Sequence, residues 1–172
     1  MNHDMLNLIQ TRRSVRAYKT DPVPEELLEE IVKAGLYAPS AMNGQSWHLT
    51  VLTGDAVERF HKFSAEKAGR NAYYGAPAII LVFADKKAAW GSRDGSLALG
   101  NMMLAAHSLG LGTCWINIIN HIFDGEDADA LAAEWGIPAG YAPIGSIEVG
   151  YAAEPPRDAA PRREGTVNWI RA

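Results

Sequence analysis

The chain is poor in the features that usually reveal a chemistry at once. It has one cysteine, Cys114, in 172 residues. An internal disulfide is therefore excluded, and a reducing compartment is indicated, so a cytoplasmic protein is expected. Its five histidines, at 3, 48, 61, 107 and 121, never form an H-E-x-x-H pair. With no paired cysteines either, no metal is expected. Apolar runs are no longer than a strand and Met1 leads into a polar segment, so neither a membrane span nor a leader is expected. Positive charge is not in excess. The formal net charge of −4 argues against a nucleic-acid partner. A nucleophile elbow and a P-loop are absent, and no G-x-G-x-x-G follows a strand. Gly110-Leu111-Gly112 follows a helical pattern, the wrong context for a dinucleotide turn. Repeats, low-complexity segments and a convincing acid–base pair are missing too.

A hydrophobic fraction of 48% is enough for a real core, and one domain over 1–172 is expected. Periodicity predicts helices over Asp4–Thr11 and from Pro24, with Leu27, Leu28, Ile31, Val32 and Leu36 as the second helix's apolar stripe. That helix must end before Ala38-Pro39. Strands are predicted at Trp47–Thr53, Ala78–Ala84 and Ile144–Val149, with Thr113–Asn117 as a short strand or extended loop. The continuous apolar run Ala78–Ala84 predicts a central strand covered on both faces. Further helices are predicted at Asp55–Ala68, Asp94–Leu109 and Asp124–Trp135. The Asp94–Leu109 helix is apolar nearly all round and is expected to be buried, within the domain or at an interface between subunits. Helices and strands in this order predict an α+β or α/β domain around a central sheet. From 153 to 172 the chain reads as an extended arm, stiffened by Pro155, Pro156 and Pro161. Its tip, Trp169-Ile170, cannot bury itself and is expected to dock on the body or on a second subunit.

The candidate binding residues cluster at Arg12-Arg13-Ser14-Val15-Arg16. Arginine offers a permanently charged fork that suits bidentate binding of phosphate or carboxylate. A basic helix end complementing the macrodipole is the alternative. A second pair, Arg162-Arg163, stands far along an otherwise acidic chain. Arginines, the amide-rich loop Ser40–Ser46 and apolar walls suit a phosphate-bearing planar cofactor better than hydrolysis.

Three motifs, in order, carry a resemblance: R-R-S-x-R at 12–16, A-P-S-A-x-N-x-Q-x-W at 38–47 and G-L-G-T-C-W-I at 110–116. The chain resembles the FMN-dependent nitroreductase family from Ile9 to Arg163. The resemblance implies a three-layer α+β fold with a mostly antiparallel sheet, in an intertwined homodimer. It implies bound FMN, a hydride from NADH or NADPH, and a nitroaromatic, quinone or similar small-molecule acceptor, in a ping-pong cycle. Carried over, Arg12, Arg13, Ser14 and Arg16 would hold the FMN phosphate, ribityl chain and pyrimidine edge. Arg162 and Arg163 would complete the phosphate clamp. Pro39, Ser40, Ala41, Asn43 and Gln45 would reach the flavin from the partner subunit. Asn71 would bond the flavin or ribityl region, and Trp115, Ile116 and Asn117 would lie against the ring. No catalytic side chain is implied, because the flavin carries the chemistry.

The sequence departs from the family at Ser46, where proline commonly follows the glutamine, and it is short where longer members roof the pocket. Tyr73, Tyr74 and Trp90 are candidate walls or packing groups. Cys114 and His107 are expected as core residues, and His121 as wall or solvent-facing. Relatives that dehalogenate or fragment a substrate by the same flavin, and a non-enzymatic FMN scaffold, are the competing readings.

Overall fold

The computed structural model describes residues 3–171. Four strands form one antiparallel sheet in the order β1-β2-β4-β3: β1 (Trp47–Thr53), β2 (Ala78–Asp85), β3 (Gly112–Ile116) and β4 (Tyr141–Gly150). Both inner strands are buried over most of their length, as the unbroken apolar run of β2 requires. Side chains alternate across the sheet. Ile80, Val82, Ile147 and Val149 face α2 (Glu25–Leu36) and α4 (Gly91–Ser108). Ile79, Leu81, Phe83 and Cys114 face the opposite core, with Phe60 of α3 (Asp55–Ala68) and Ile119 and Ile122 of the short α5 (Ile119–Ile122). Leu131, on α6 (Glu126–Glu134), is buried as well, and α6 is tied to α3 by Arg59–Glu134 and Lys67–Asp127 ion pairs. This is the three-layer α+β arrangement with an antiparallel sheet.

Helix α1 (His3–Thr11) and the boundaries of β1 and α3 fall where the periodicity puts them. Four differences have local causes. Pro24 caps α2 rather than opening it. β4 begins three residues before Ile144, because Pro143 sits at a register shift between β2 and β4, where the missing N–H costs no regular ladder bond. The acidic helix predicted over Asp124–Trp135 is shorter, and α5 precedes it. α4 is not buried all round: Ala98, Leu99, Met102 and Ala106 face the sheet while Leu97 is half-exposed. From Ala153 to Arg171 the chain has no helix or strand and is exposed throughout. No helix among the described residues is long and apolar enough to cross a membrane.

Candidate functional site

The arginine segment leaves α1 and is laid along the sheet. Ser14 pairs with Thr113 as a parallel bridge, and the Val15 N–H donates to the Thr113 carbonyl at 2.9 Å. Lys19 N–H to Tyr151 O and Ala153 N–H to Ala17 O, each 2.9 Å, extend the contact past the end of β4. Gly110-Leu111-Gly112 makes this approach available, and its glycines act differently. Gly110, at φ +78°, closes α4 in a Schellman motif with Leu111 N–H on the Ala106 carbonyl at 2.9 Å. Gly112 has no room for a side chain: a Cβ there would lie 2.5 Å from Val15 Cγ2. Gly112→Ala is therefore expected to push the arginine segment off β3 and to cost about 1–3 kcal/mol of stability, read from urea unfolding midpoints.

The guanidinium groups are not equivalent. Arg13 Nη1 donates to the Gln10 and Arg12 carbonyls, both at 2.7 Å, fastening the end of α1. Arg12 Nη1 is buried with no hydrogen-bond partner among the described residues. A buried, unsatisfied charged donor is expensive, and an anion placed beside it removes the cost. Arg16 is exposed and sits 5.8 Å from the Tyr74 ring centroid. Two cavities flank the segment. One, of about 220 Å³, is walled by Arg12, Arg13, His107 and Thr113. The other, of about 560 Å³, is walled by Arg13, Ser14, Arg16, Pro155 and Arg157. Orphaned donor, charged fork and adjoining space together fit the phosphate end of a nucleotide-like cofactor.

Trp115 is half-buried and packs toward α4, and Asn117 is exposed at the end of β3. The Ile116 side chain is buried in the opposite core, so what it offers a ligand is backbone. Asn71, on the exposed loop between α3 and β2, accepts the Tyr73 N–H on Oδ1 at 3.2 Å. Arg162 and Arg163 are exposed on the arm and are not among the cavity walls; Arg162 Nη2 donates to the Ala160 carbonyl at 3.1 Å.

The loop at 39–45 lies elsewhere. Met42, Asn43 and Gln45 adopt φ of 53°, 54° and 44°, strained values for residues other than glycine. The loop spends its polar groups on itself: Gln45 N–H donates to Ser40 Oγ and Gln45 Nε2 to Asn43 Oδ1, both at 3.1 Å. Pro39 is exposed and Ala41 half-buried. The Ser46 carbonyl, at the position where the family commonly has proline, accepts the Asp85 N–H at 3.0 Å. Trp47 pairs with Ala84 and Ala84 with Ala142, whereas Tyr18 pairs with Ala152. The two groups of candidate residues thus stand at opposite ends of β4, 10 residues long and so about 30 Å.

Several sequence expectations are corrected here. His107 is not a core residue: it is half-exposed in the cavity wall, its Nε2 3.0 Å from Thr11 Oγ1. Helical periodicity placed it on an apolar helix but could not show that α1 stops beside it. Tyr73 is packing, 3% exposed, with its hydroxyl 2.8 Å from Ser146 Oγ. Tyr74 and Trp90 are both exposed, Tyr74 beneath Arg16 and Trp90 beneath Arg93. His121 faces solvent. Cys114 is buried, as expected, and burial raises its thiol pKa against the opposing pull of Arg16 and Arg12, so it stays protonated. Missed altogether were two buried acids, Asp94 and Glu148. The signal for Glu148 was present, a lone charge inside the apolar β4 run Ile147-Glu148-Val149.

Fold and site together define a three-layer α+β protein with a cluster of arginines beside two cavities at one sheet edge. The profile of the nitroreductase family matches residues 9–71 and 57–151, and the chain belongs to that family. It is 34% identical over 162 residues to a protein of Methanothermobacter thermautotrophicus with the provisional name NADH dehydrogenase/NAD(P)H nitroreductase, covering 89% of this chain and 80% of that one. It is 32% identical over 139 residues to the FMN reductase [NAD(P)H] of Bacillus subtilis, covering 68% of this chain and 55% of that one. The crystal structure of a nitroreductase with bound FMN from Bacteroides fragilis superposes with a TM-score of 0.90 at 29% identity, over 98% and 99% of the two chains.

Proposed function

We propose that this protein is an FMN-dependent oxidoreductase that takes a hydride from NADH or NADPH and delivers it to a nitroaromatic, quinone or similar small acceptor, working as a homodimer. The observation that carries the reading is the buried Nη1 of Arg12, unpaired among the described residues, where Arg12 and Arg13 wall one cavity and Arg13, Ser14 and Arg16 wall the next. Bound FMN supplies the hydride-transfer chemistry. Arg12, Arg13 and Ser14 bind its phosphate and ribityl chain, and Arg162 and Arg163 join them when the arm is docked. Arg16 puts a cation at the pyrimidine edge, where it favours negative charge on the ring system. Asn71, the Ile116 backbone, Trp115 and Asn117 orient the ring from the same chain.

Pro39, Ser40, Ala41, Asn43 and Gln45 cannot reach that cradle in one protomer, because the length of β4 separates them. In an antiparallel pair of copies each loop comes to the other copy's cradle. Exposed apolar groups support such a pair: Tyr37 at 80%, Met42 at 94% and Leu97 at 47% exposure.

Purified protein is expected to be yellow and to bleach when NADH or NADPH is added without oxygen; a bound flavin that stays oxidised would favour a scaffold or a different electron donor. The flavin carries the reaction, and donor and acceptor share its open face and bind in turn. Initial rates with a quinone varied at several NAD(P)H concentrations should give parallel double-reciprocal lines. Intersecting lines would require a separate nicotinamide site and would refute the shared face.

A further inference from the structure

Among the described residues, Asp94 and Glu148 are the buried acids, at 5% and 0% exposure. Neither makes an ion pair with another described residue. Both give their oxygens to backbone N–H groups of loops that carry candidate flavin contacts. Asp94 Oδ1, in the first turn of α4, accepts the Ala41 N–H at 3.1 Å and so holds the loop at 39–45. Glu148, on β4, holds the loop at 70–76: Oε1 accepts from Tyr74 at 2.9 Å and Ala76 at 3.1 Å, and Oε2 from Tyr74 at 3.0 Å. Ser146, two residues earlier on β4, reinforces that loop through the Tyr73 hydroxyl at 2.8 Å, while donating to the Ile116 carbonyl at 3.1 Å. A buried carboxylate is tolerated only where hydrogen bonds replace its water, and here those bonds fix loop backbone rather than core.

We infer that Asp94 and Glu148 are positioning residues for the two halves of the flavin site. Asp94 presents Pro39–Gln45 to the neighbouring copy. Glu148 sets Asn71, and sets Tyr74 beneath Arg16. The inference rests on the FMN reading above. It adds that cofactor affinity depends on two acids that do not touch the cofactor.

Glu148 also has a proton to read. Burial raises its pKa, against the lowering effect of the N–H donors from Ala76, Tyr74 and Gly75. The charged and titratable groups around it are Tyr18, Tyr73, Tyr74, Cys114 and Arg16. Burial pushes Tyr18, Tyr73 and Cys114 further up, so none of the three titrates in the weakly acidic range. Protonation removes one acceptor site facing the Tyr74 N–H and loosens the loop. FMN affinity should therefore fall as pH drops through the raised pKa of Glu148. Glu148→Gln places an amide N–H₂ where Oε2 was, mimicking the protonated acid, and should bind FMN weakly without that pH step.

The test is FMN titration of apoprotein from pH 4.5 to 8, followed by flavin fluorescence, with thermal unfolding of each apoprotein alongside. Asp94→Ala and Glu148→Leu should each weaken FMN about tenfold or more, as expected when a buried hydrogen-bond anchor is removed. Asp94→Asn keeps a neutral acceptor oxygen and should restore most of the loss. Wild-type protein that fails to bind FMN would overturn the cofactor reading itself. Wild-type binding with all variants within about twofold of it, or the same pH step in wild type and Glu148→Gln, would overturn the positioning role alone. Weakened binding that tracks lost thermal stability, with no rescue by Asp94→Asn, would also overturn it. The comparison of wild-type pH profiles with phosphate-bearing FMN and phosphate-free riboflavin needs no variant. A step present with FMN and missing with riboflavin belongs to the phosphate and counts against Glu148.

Discussion

Arg12→Ala is expected to weaken FMN binding by about 2–5 kcal/mol, the usual loss when one partner of a buried, charge-assisted contact is removed and the other stays buried. Arg12 is chosen over its neighbour for a structural reason. Arg13 already spends Nη1 on the Gln10 and Arg12 carbonyls, whereas Arg12 Nη1 is buried and unpaired. Binding an anion there satisfies a donor that costs free energy in the apoprotein. Arg12→Lys should recover the charge but not the two-pronged geometry, and should fall between wild type and alanine. Arg13→Ala should weaken binding too, with an added loss of apoprotein stability, since it also unfastens the end of α1. Isothermal titration of apoprotein with FMN separates these outcomes. Unchanged affinity in Arg12→Ala would remove that residue from the site.

Deleting residues 161–172 is expected to release FMN and weaken self-association together. In one copy the arm's tip is exposed, with Val167 at 66%, Trp169 at 78% and Ile170 at 98%. Burying side chains of this size on a second copy is worth roughly 1.5–3 kcal/mol each. The same deletion removes Arg162 and Arg163, and so part of the phosphate clamp. Sedimentation velocity with absorbance at the flavin maximum reads both effects at once. A deletion variant that stays dimeric and fully flavinated would show that the arm serves neither purpose.

Most of the fold was legible because each element is locally consistent. β1 and α3 carry alternation or helical spacing over their whole length, and the residues that end them are turn formers. Legibility failed where a local signal meant something different in context. The strand predicted from Ile144 begins instead at Tyr141, because a register shift beside Pro143 absorbs the missing donor. α4 reads as apolar all round, yet only one side meets the sheet, since which apolar faces are covered is a matter of packing. Glu148 reads as an anomaly in an apolar run until the loop it holds is placed against it.

The candidate site divides along the same line. Which residues bind an anion was open to inspection, because a charged fork is a property of arginine wherever it stands. The order of elements by itself indicated an α+β or α/β domain and the glycine that ends α4, while the antiparallel three-layer class came from the family resemblance of three motifs. The sequence could not say which guanidinium is left unsatisfied, because that depends on the extended path of 12–19 beside β3. Nor could it say that the loop at 39–45 stands a whole strand length from the arginines. Distances between residues far apart in the chain follow from strand order and register, and those were decided only when the sheet closed around its two cores.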